Sequence, residues 1–403
     1  MLVNYLLLDL NSFFASCEQQ AQPSLRGRPV AVVPMLTSST SVLAASYEAK
    51  KMGVKTGTKV GDAKKMCPGL QLVISQPQRY LDFHERILKA TDEIIPIDQV
   101  LSVDEVSCEL LGSQRNVEKA LELAQKLKNH IRKKVGECLT SSVGLGPNTL
   151  IAKIASDLQK PDGLICVPKE KISEIIGPLP IRVVPGIGEK TQSHLNRLGV
   201  QKVQDLLDMT EGQIRSQFGS IVGVKMLQGL KGESYVYGTS VTKSISHEHV
   251  LAPEMRNPMD SFSVAQKLLN KACVRLRKNL FRTGHLHLSL RLVNGNRFEK
   301  SLHFDPTQDT GFLFKQLDKI FPVRLDSVPF KVSVVLSDFS DSQQPQLSFF
   351  DQDQRRREKA YQTADLINHK FGKNSLIVAD LLGMDQQARG GISFSRVPAQ
   401  DEF

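Results

Sequence analysis

At 403 residues the chain is too long for one compact core, and two to four domains are expected. Its 52 Lys and Arg against 42 Asp and Glu leave a formal net charge of +10, which points to a polyanionic partner, nucleic acid first. Six scattered cysteines (Cys17, Cys67, Cys108, Cys138, Cys166, Cys273) without a CxxC pair exclude a thiolate zinc site and a disulfide framework. No apolar run approaches the roughly 18 residues that span a bilayer, and the first residues lack the basic start of a signal peptide, so a soluble cytoplasmic protein is expected.

Residues 3–10 read as a strand whose apolar run, Tyr5-Leu6-Leu7-Leu8-Asp9-Leu10, is broken by Asp9. A helix over 12–18, turns through Pro23-Ser24-Leu25-Arg26-Gly27 and a strand at Val30-Ala31-Val32-Val33 follow. Residues 44–52 carry a helical pattern stopped at Gly53. Residues 78–95 and 116–135 predict long helices, the second through Val117, Leu121, Ala124, Leu127 and Ile131. Between them Val100-Leu101-Ser102-Val103 reads as a strand interrupted by Asp104-Glu105, and 141–145 as another strand. Strict strand–helix alternation is missing, so the fold class is an α+β multidomain chain rather than a doubly wound sheet. Residues 168–232 predict a small all-α module and 232–238 a connector. From 240 to 340 strands return: Leu286, Leu288, Leu290 and Leu292 alternate with polar residues, and Asn294-Gly295 supplies a hairpin turn. Helices are expected over 261–280 and after the hairpin, and a strand over 330–339. Beyond Ser342 a Gln/Pro-rich linker leads to a helix over 355–371.

Three carboxylates carry the chemistry. Asp9, Asp104 and Glu105 each interrupt an apolar stretch, where an unpaired charge costs several kcal/mol. If the two segments lie side by side, the three meet at one point. A pair of divalent ions is the usual reason, and two metals suit in-line displacement at phosphorus. Neighbours in a regular strand point to opposite faces, so Asp104 and Glu105 serve one site only where the chain bends or the Glu reaches round. Tyr47 and Lys50, three apart on a helical face, suit a triphosphate, as does Lys160 before the Pro161-Asp162-Gly163 turn. In Val184-Pro185-Gly186-Ile187-Gly188-Glu189-Lys190, two glycines just before a helix expose backbone N–H groups to a phosphate. With Leu195 and Leu198-Gly199-Val200 downstream, they form a helix-hairpin-helix pattern that grips DNA backbone. Lys243, Arg275, Arg277, Lys278, Arg282, Arg291, Arg297 and Lys300 offer phosphate-tracking charge in the second α+β unit. Gln346-Leu347-Ser348-Phe349-Phe350 places apolar anchors in a polar linker, as a partner-docking peptide would.

These motifs, in this order, resemble Y-family (translesion) DNA polymerases. The likeness rests on Asp9-Leu10-Asn11-Ser12-Phe13-Phe14-Ala15-Ser16-Cys17-Glu18, Ser46-Tyr47-Glu48-Ala49-Lys50, Ser102-Val103-Asp104-Glu105, Lys160-Pro161-Asp162-Gly163 and Pro185-Gly186-Ile187-Gly188. It covers roughly residues 1–340. The resemblance implies a right-hand polymerase: palm over 1–19 and 77–165, small fingers over 20–76, an all-α thumb over 166–232, a linker over 233–240, an α+β little finger over 241–342 and a tail over 343–403. It implies that Asp9, Asp104 and Glu105, with the Leu10 carbonyl, ligate two Mg²⁺ ions, with Mn²⁺ as a substitute. Phe14 matches the steric gate against a 2′-OH, and Tyr47, Lys50 and Lys160 the triphosphate clamp. Gly186, Gly188, Lys190, Lys243 and Arg291 would meet primer–template DNA. Gln346, Leu347, Phe349 and Phe350 match the pentapeptide that binds the β sliding clamp of bacteria. The implied activity is low-fidelity synthesis past damage by a monomer without proofreading. A non-catalytic clamp-tethered adaptor of the same fold and a nucleotidyl cyclase are the alternatives. Two departures stand out: Lys50 replaces an Arg common in the family, giving up bidentate geometry, and Ala44 replaces a hydroxyl. The wording around Asn11–Glu18 is nearer the UmuC branch, and Tyr47 and the thumb are nearer DinB.

Overall fold

The computed structural model describes residues 1–38, 40–219, 221–235, 242–341, 352–372 and 375–377. They form two compact units, built on Met1–Thr239 and Ser240–Gly390. The peptide Gln346–Phe350 lies outside the described residues.

The first unit opens with β1 (Tyr5–Leu10), α1 (Phe13–Ala21), β2 (Val30–Val33), β3 (Ala44–Ala45), α2 (Tyr47–Lys51), α3 (Val60–Met66), β4 (Gln71–Ile74) and α4 (Pro77–Asp92). It continues through β5 (Gln99–Val100), β6 (Glu105–Glu109), α5 (Val117–Lys134), β7 (Ser141–Gly146), α6 (Thr149–Leu158) and β8 (Leu164–Cys166). Its main sheet runs β5-β6-β1-β7-β8. All pairs are antiparallel except β7 with the edge strand β8, an α+β layer as the sequence predicts. β1 lies at the centre, which is why Leu6, Leu7 and Leu8 are all fully buried. Leu6, Leu8 and Leu10 join Tyr80, Ile87, Leu127 and Ile131 of α4 and α5 in one core. Leu7 and Asp9 therefore share the opposite face, where α6 packs.

Glycine sets how closely α6 approaches. A Cβ at Gly144 would sit 1.9 Å from the Ala152 carbonyl oxygen and 2.4 Å from the Ser156 nitrogen. Any side chain on β7 there would push the helix away. A separate three-stranded sheet, β3-β2-β4, carries its own small core of Ala31, Val33, Val42, Ala49, Val54 and Val60.

Two expectations need correction. Residues 44–52 are not one helix: Ala44 and Ala45 pair with Val32 and Ala31 as a strand, and Ser46 caps the short α2 with its hydroxyl. Residues 100–103 are not a continuous strand either. The chain bends over 101–104, where the Leu101 and Ser102 amides both donate to the Glu105 carbonyl, at 2.9 and 3.2 Å, and β6 starts at Glu105.

Residues 168–232 are helical as predicted, with α7 (Ile172–Ile175), α8 (Glu189–Arg197), α9 (Val203–Leu207), α10 (Glu211–Phe218) and α11 (Ile221–Leu230) around Ile181, Leu195, Leu206, Ile214 and Leu227. The second unit holds β9 (Ser244–Val250), α12 (Pro258–Lys278), β10 (Phe281–Leu292), β11 (Arg297–Thr307), α13 (Thr310–Ile320), β12 (Pro329–Asp341) and α14 (Gln352–Phe371). Its antiparallel sheet runs β11-β10-β12-β9. The alternating leucines of β10 face a core with α12 and α13. Gly295, at φ +91°, makes the hairpin turn.

Candidate active site

The sheet register brings the carboxylates together. Asp9 on β1 stands directly opposite Glu105 on β6, so the two share a face. Asp104 precedes the strand, in the bend, and this frees it from the alternation that would send it to the far side. The bend is held by the Ser102 hydroxyl, 2.6 Å from Asp104 Oδ1, and by the buried His84 ring, whose Nδ1 lies 2.8 Å from the Val103 carbonyl oxygen. Burial lowers the His84 pKa, which suits a neutral ring donating to that carbonyl. Burial also pushes the Asp104 carboxyl above its ordinary range; the Ser102 hydrogen bond opposes this and the Asp9 charge adds to it. Glu105 is raised for the same first reason, against the pull of Lys153.

Two lysines supply positive charge. Lys153 Nζ on α6 lies 2.6 Å from Asp9 Oδ2, 2.8 Å from Glu105 Oε1 and 3.2 Å from Asp157 Oδ2. Lys160 Nζ lies 2.7 Å from Asp9 Oδ2 and 2.7 Å from Asp157 Oδ1. Burial opposes the charge on each, but Asp9 and its neighbours outweigh that and raise both lysines. The turn after Lys160 is fixed from two sides. Asn11 Oδ1 accepts the Asp162 amide at 2.8 Å, and the buried Lys128 donates to the Asp162 and Gly163 carbonyls at 2.5 and 3.0 Å.

One cavity of about 290 Å³ collects these groups: Asp9, Leu10, Asp104, Glu105, Lys153 and Lys160 line it together with Ser12, Phe13, Phe14, Leu43, Ala44, Tyr47, Lys50 and Thr56. Thus every predicted carboxylate and nucleotide-site residue reaches the same space. Phe14 forms part of the wall, its ring stacked on Tyr80 at 4.4 Å and 13°. Tyr80 in turn donates its hydroxyl to the fully buried Glu18 at 2.8 Å. Lys50 Nζ lies 4.4 Å from the centre of the Tyr47 ring. Burial, with Lys160 nearby, lowers the Lys50 pKa, and burial raises that of Tyr47.

Lys153, Asp157, Ser12 and Thr56 were not singled out by the sequence. A Lys and an Asp four apart on a helix normally read as a solvated pair. Gly144 and Gly146 in β7 indicate a helix pressed onto the strand, but they do not point to Lys153 itself.

The DNA-contact candidates fall elsewhere and separately. Gly186, at φ +91°, and Gly188, the cap of α8, form the turn before that helix, with Lys190 exposed in its first turn. The element before the turn is only a 3₁₀ segment, Ile181–Val183. Lys243 is exposed ahead of β9. Arg291, exposed on the sheet face opposite the buried leucines, stands in register with Arg297 on one side and Lys331 on the other. Arg277 and Arg282 are a correction. Rather than offering free charge, Arg277 makes a two-point contact with Asp365 at 2.6 and 3.0 Å, and Arg282 with Glu358 at 2.6 and 3.0 Å. Both tie α14 to the second unit.

The cavity suits divalent cations by its donor type, since carboxylate and carbonyl oxygens are hard ligands for Mg²⁺. Its charge demand is equally plain, with ammonium groups drawn between carboxylates. The oxygens are not drawn into a cage: among the described residues no three His, Cys, Asp or Glu side chains stand at ligand spacing. Among those residues, too, no helix is long and apolar enough to cross a membrane.

Comparison with known proteins agrees with this geometry. The profile of the impB/mucB/samB family matches residues 8–157, and that of its C-terminal domain matches 242–349. DNA polymerase IV of Pelotomaculum thermopropionicum is 30% identical over 388 residues, covering 93% of this chain and 94% of the relative. DNA polymerase IV of Moorella thermoacetica is 37% identical over 257 residues, 62% of this chain and 64% of the relative. Among solved structures, a Y-family DNA polymerase chimera of Dbh and Dpo4 aligns with a TM-score of 0.71 at 25% identity, over 83% of this chain and 98% of the other. DinB from Sulfolobus solfataricus aligns over the same shares at 25% identity, with a TM-score of 0.52.

Proposed function

The chain belongs to the impB/mucB/samB family, the DinB-type Y-family DNA polymerases, and on that premise we propose that it extends primers across damaged template bases from the cavity around Asp9. The observation that carries this is the convergence of Asp9, Asp104 and Glu105 with Phe14, Tyr47, Lys50 and Lys160 on one space. Lys50, Lys160 and the Tyr47 hydroxyl hold the triphosphate, whose charge their ammonium groups offset. Phe14, fixed by its stack on Tyr80, lies under the sugar and leaves no room for a 2′-OH. Asp9, Asp104, Glu105 and the Leu10 carbonyl would hold two Mg²⁺ ions, with Mn²⁺ as a substitute. Bound there, they would supply Lewis acidity toward the primer 3′-OH and the leaving pyrophosphate.

Residues 1–19 and 77–165 are assigned as palm, 20–76 as fingers, 166–232 as thumb, 233–240 as linker, 241–342 as little finger and 343–403 as tail. Gly186, Gly188 and Lys190 are assigned to duplex backbone, as are Lys243 and the Arg291 row. Gln346, Leu347, Phe349 and Phe350 are assigned to a β sliding clamp. Low fidelity and action as a cytoplasmic monomer complete the proposal. Primer extension with Mg²⁺ on an undamaged template and on one carrying an abasic site tests it. The enzyme should incorporate on both and extend past the lesion. No incorporation on either, with duplex binding intact, would leave only the adaptor of the same fold.

A further inference from the structure

We propose that Lys153 is a built-in counter-cation for the Asp9–Glu105 pair, and that it must swing aside before a divalent ion can settle between those two carboxylates. The inference rests on the polymerase reading for the ions, and on this chain's own placement of Lys153 for the rest. Asp9 and Glu105 are cross-strand partners in register, and like charges directly opposite each other repel. Lys153 Nζ bridges them at 2.6 and 2.8 Å, so the space a shared cation would take is filled by an ammonium. Asp104 is different: neither lysine comes within ion-pairing distance of it, and its recorded partner is the Ser102 hydroxyl.

The lysine has somewhere to go. Asp157, one helical turn along α6, already stands 3.2 Å from Lys153 Nζ, so a short rotation of the flexible stem exchanges two carboxylates for one without leaving the charge bare. The helix already lies close against β7 at Gly144, where even a Cβ would meet the Ala152 carbonyl oxygen at 1.9 Å, so it has little room to advance. Rotation of the Lys153 stem toward Asp157 achieves the displacement without a shift of α6. The need for it makes the two ion positions unequal: an ion using Asp9 and Asp104 meets ammonium groups at Asp9 alone, whereas one using Asp9 and Glu105 must displace the Lys153 ammonium that bridges both of its ligands.

Titrating the DNA-free protein with Mn²⁺ alone, and reading the free-ion signal by electron paramagnetic resonance, tests this apart from catalysis. The wild type should bind one ion more tightly than the second. Lys153→Met, and Lys153→Gln should the first fail to fold, should tighten the weaker site by on the order of tenfold or more. Lys153→Arg, which keeps the charge, should leave it weak. Unchanged or weakened binding in both neutral variants overturns the inference, as does the absence of Mn²⁺ binding in wild type and variants alike. The polymerase reading would fail separately, in wild-type primer extension with Mg²⁺. A merely structural lysine would lower thermal stability on removal without tightening Mn²⁺.

Discussion

Charge is buried in both units, on different terms. In the first unit Asp9, Glu105 and Asp157 crowd around two ammonium groups, and among the described residues Asp104 beside them has no ion-pair partner. In the second, three arginines each meet one carboxylate: Arg277 with Asp365, Arg282 with Glu358 and Arg357 with Asp309. Glu358 also accepts from the Thr307 hydroxyl at 3.2 Å and the Gln308 amide at 3.1 Å, so both of its oxygens are engaged. A matched set of this kind holds α14 in place. A surplus of negative charge stabilises nothing by itself, and the proposed cation site gives it a purpose.

That contrast can be broken at several points. The largest stability effect is expected at Arg277→Met, which strands Asp365 and should cost the second unit about 3–5 kcal/mol. Hydrogen exchange across α12 and α14 should report it, and unaltered protection there would show that the matched set holds nothing. Asp9→Asn should cost less, about 1–2 kcal/mol by denaturant unfolding, because Lys153 keeps Glu105 and Asp157 and Lys160 keeps Asp157. Replacing Arg282 and Glu358 together by Met should fall within about 1.5 kcal/mol of wild type although each single change costs more, a coupling a double-mutant cycle measures. Asp104→Asn removes a carboxylate that burial already disfavours. Its unfolding free energy, by denaturant titration, should match or exceed wild type by up to about 1 kcal/mol, and a clear loss would mean Asp104 is a structural anion after all. At the bottom of the scale, Lys171→Ala breaks only the exposed pair with Glu174 and should change stability by less than about 0.5 kcal/mol.

Much of the fold was readable because periodicity and burial agree. The leucines of β10, the Asn294-Gly295 turn and the apolar β1 run each say one thing at every level. The failures came where local pattern and tertiary pairing conflict. Ala44-Ala45-Ser46-Tyr47 is a plausible helix by propensity, but Ser46 is a better cap than interior residue, and β2 offers Ala44 and Ala45 a strand to pair with. Val100 to Val103 has strand-like side chains, yet the chain must turn there to aim Asp104. The site carboxylates were legible because charge in an apolar run is expensive. Lys153 was not, since its partners come from three elements and only the register of β1 with β6 brings them into its reach. For Arg277 and Arg282 a basic side chain gives no hint whether its partner is a phosphate or a carboxylate some 80 residues away.

Single-turnover incorporation of one correct dNTP with Mg²⁺, comparing wild type with Asp104→Asn on the same primer–template, tests the central claim most directly. The surplus-charge account predicts that incorporation falls by on the order of a thousandfold or more while primer–template affinity and folding stay near wild type. Incorporation within about tenfold of wild type would contradict it, and would place the chemistry outside the Asp9–Asp104–Glu105 cavity.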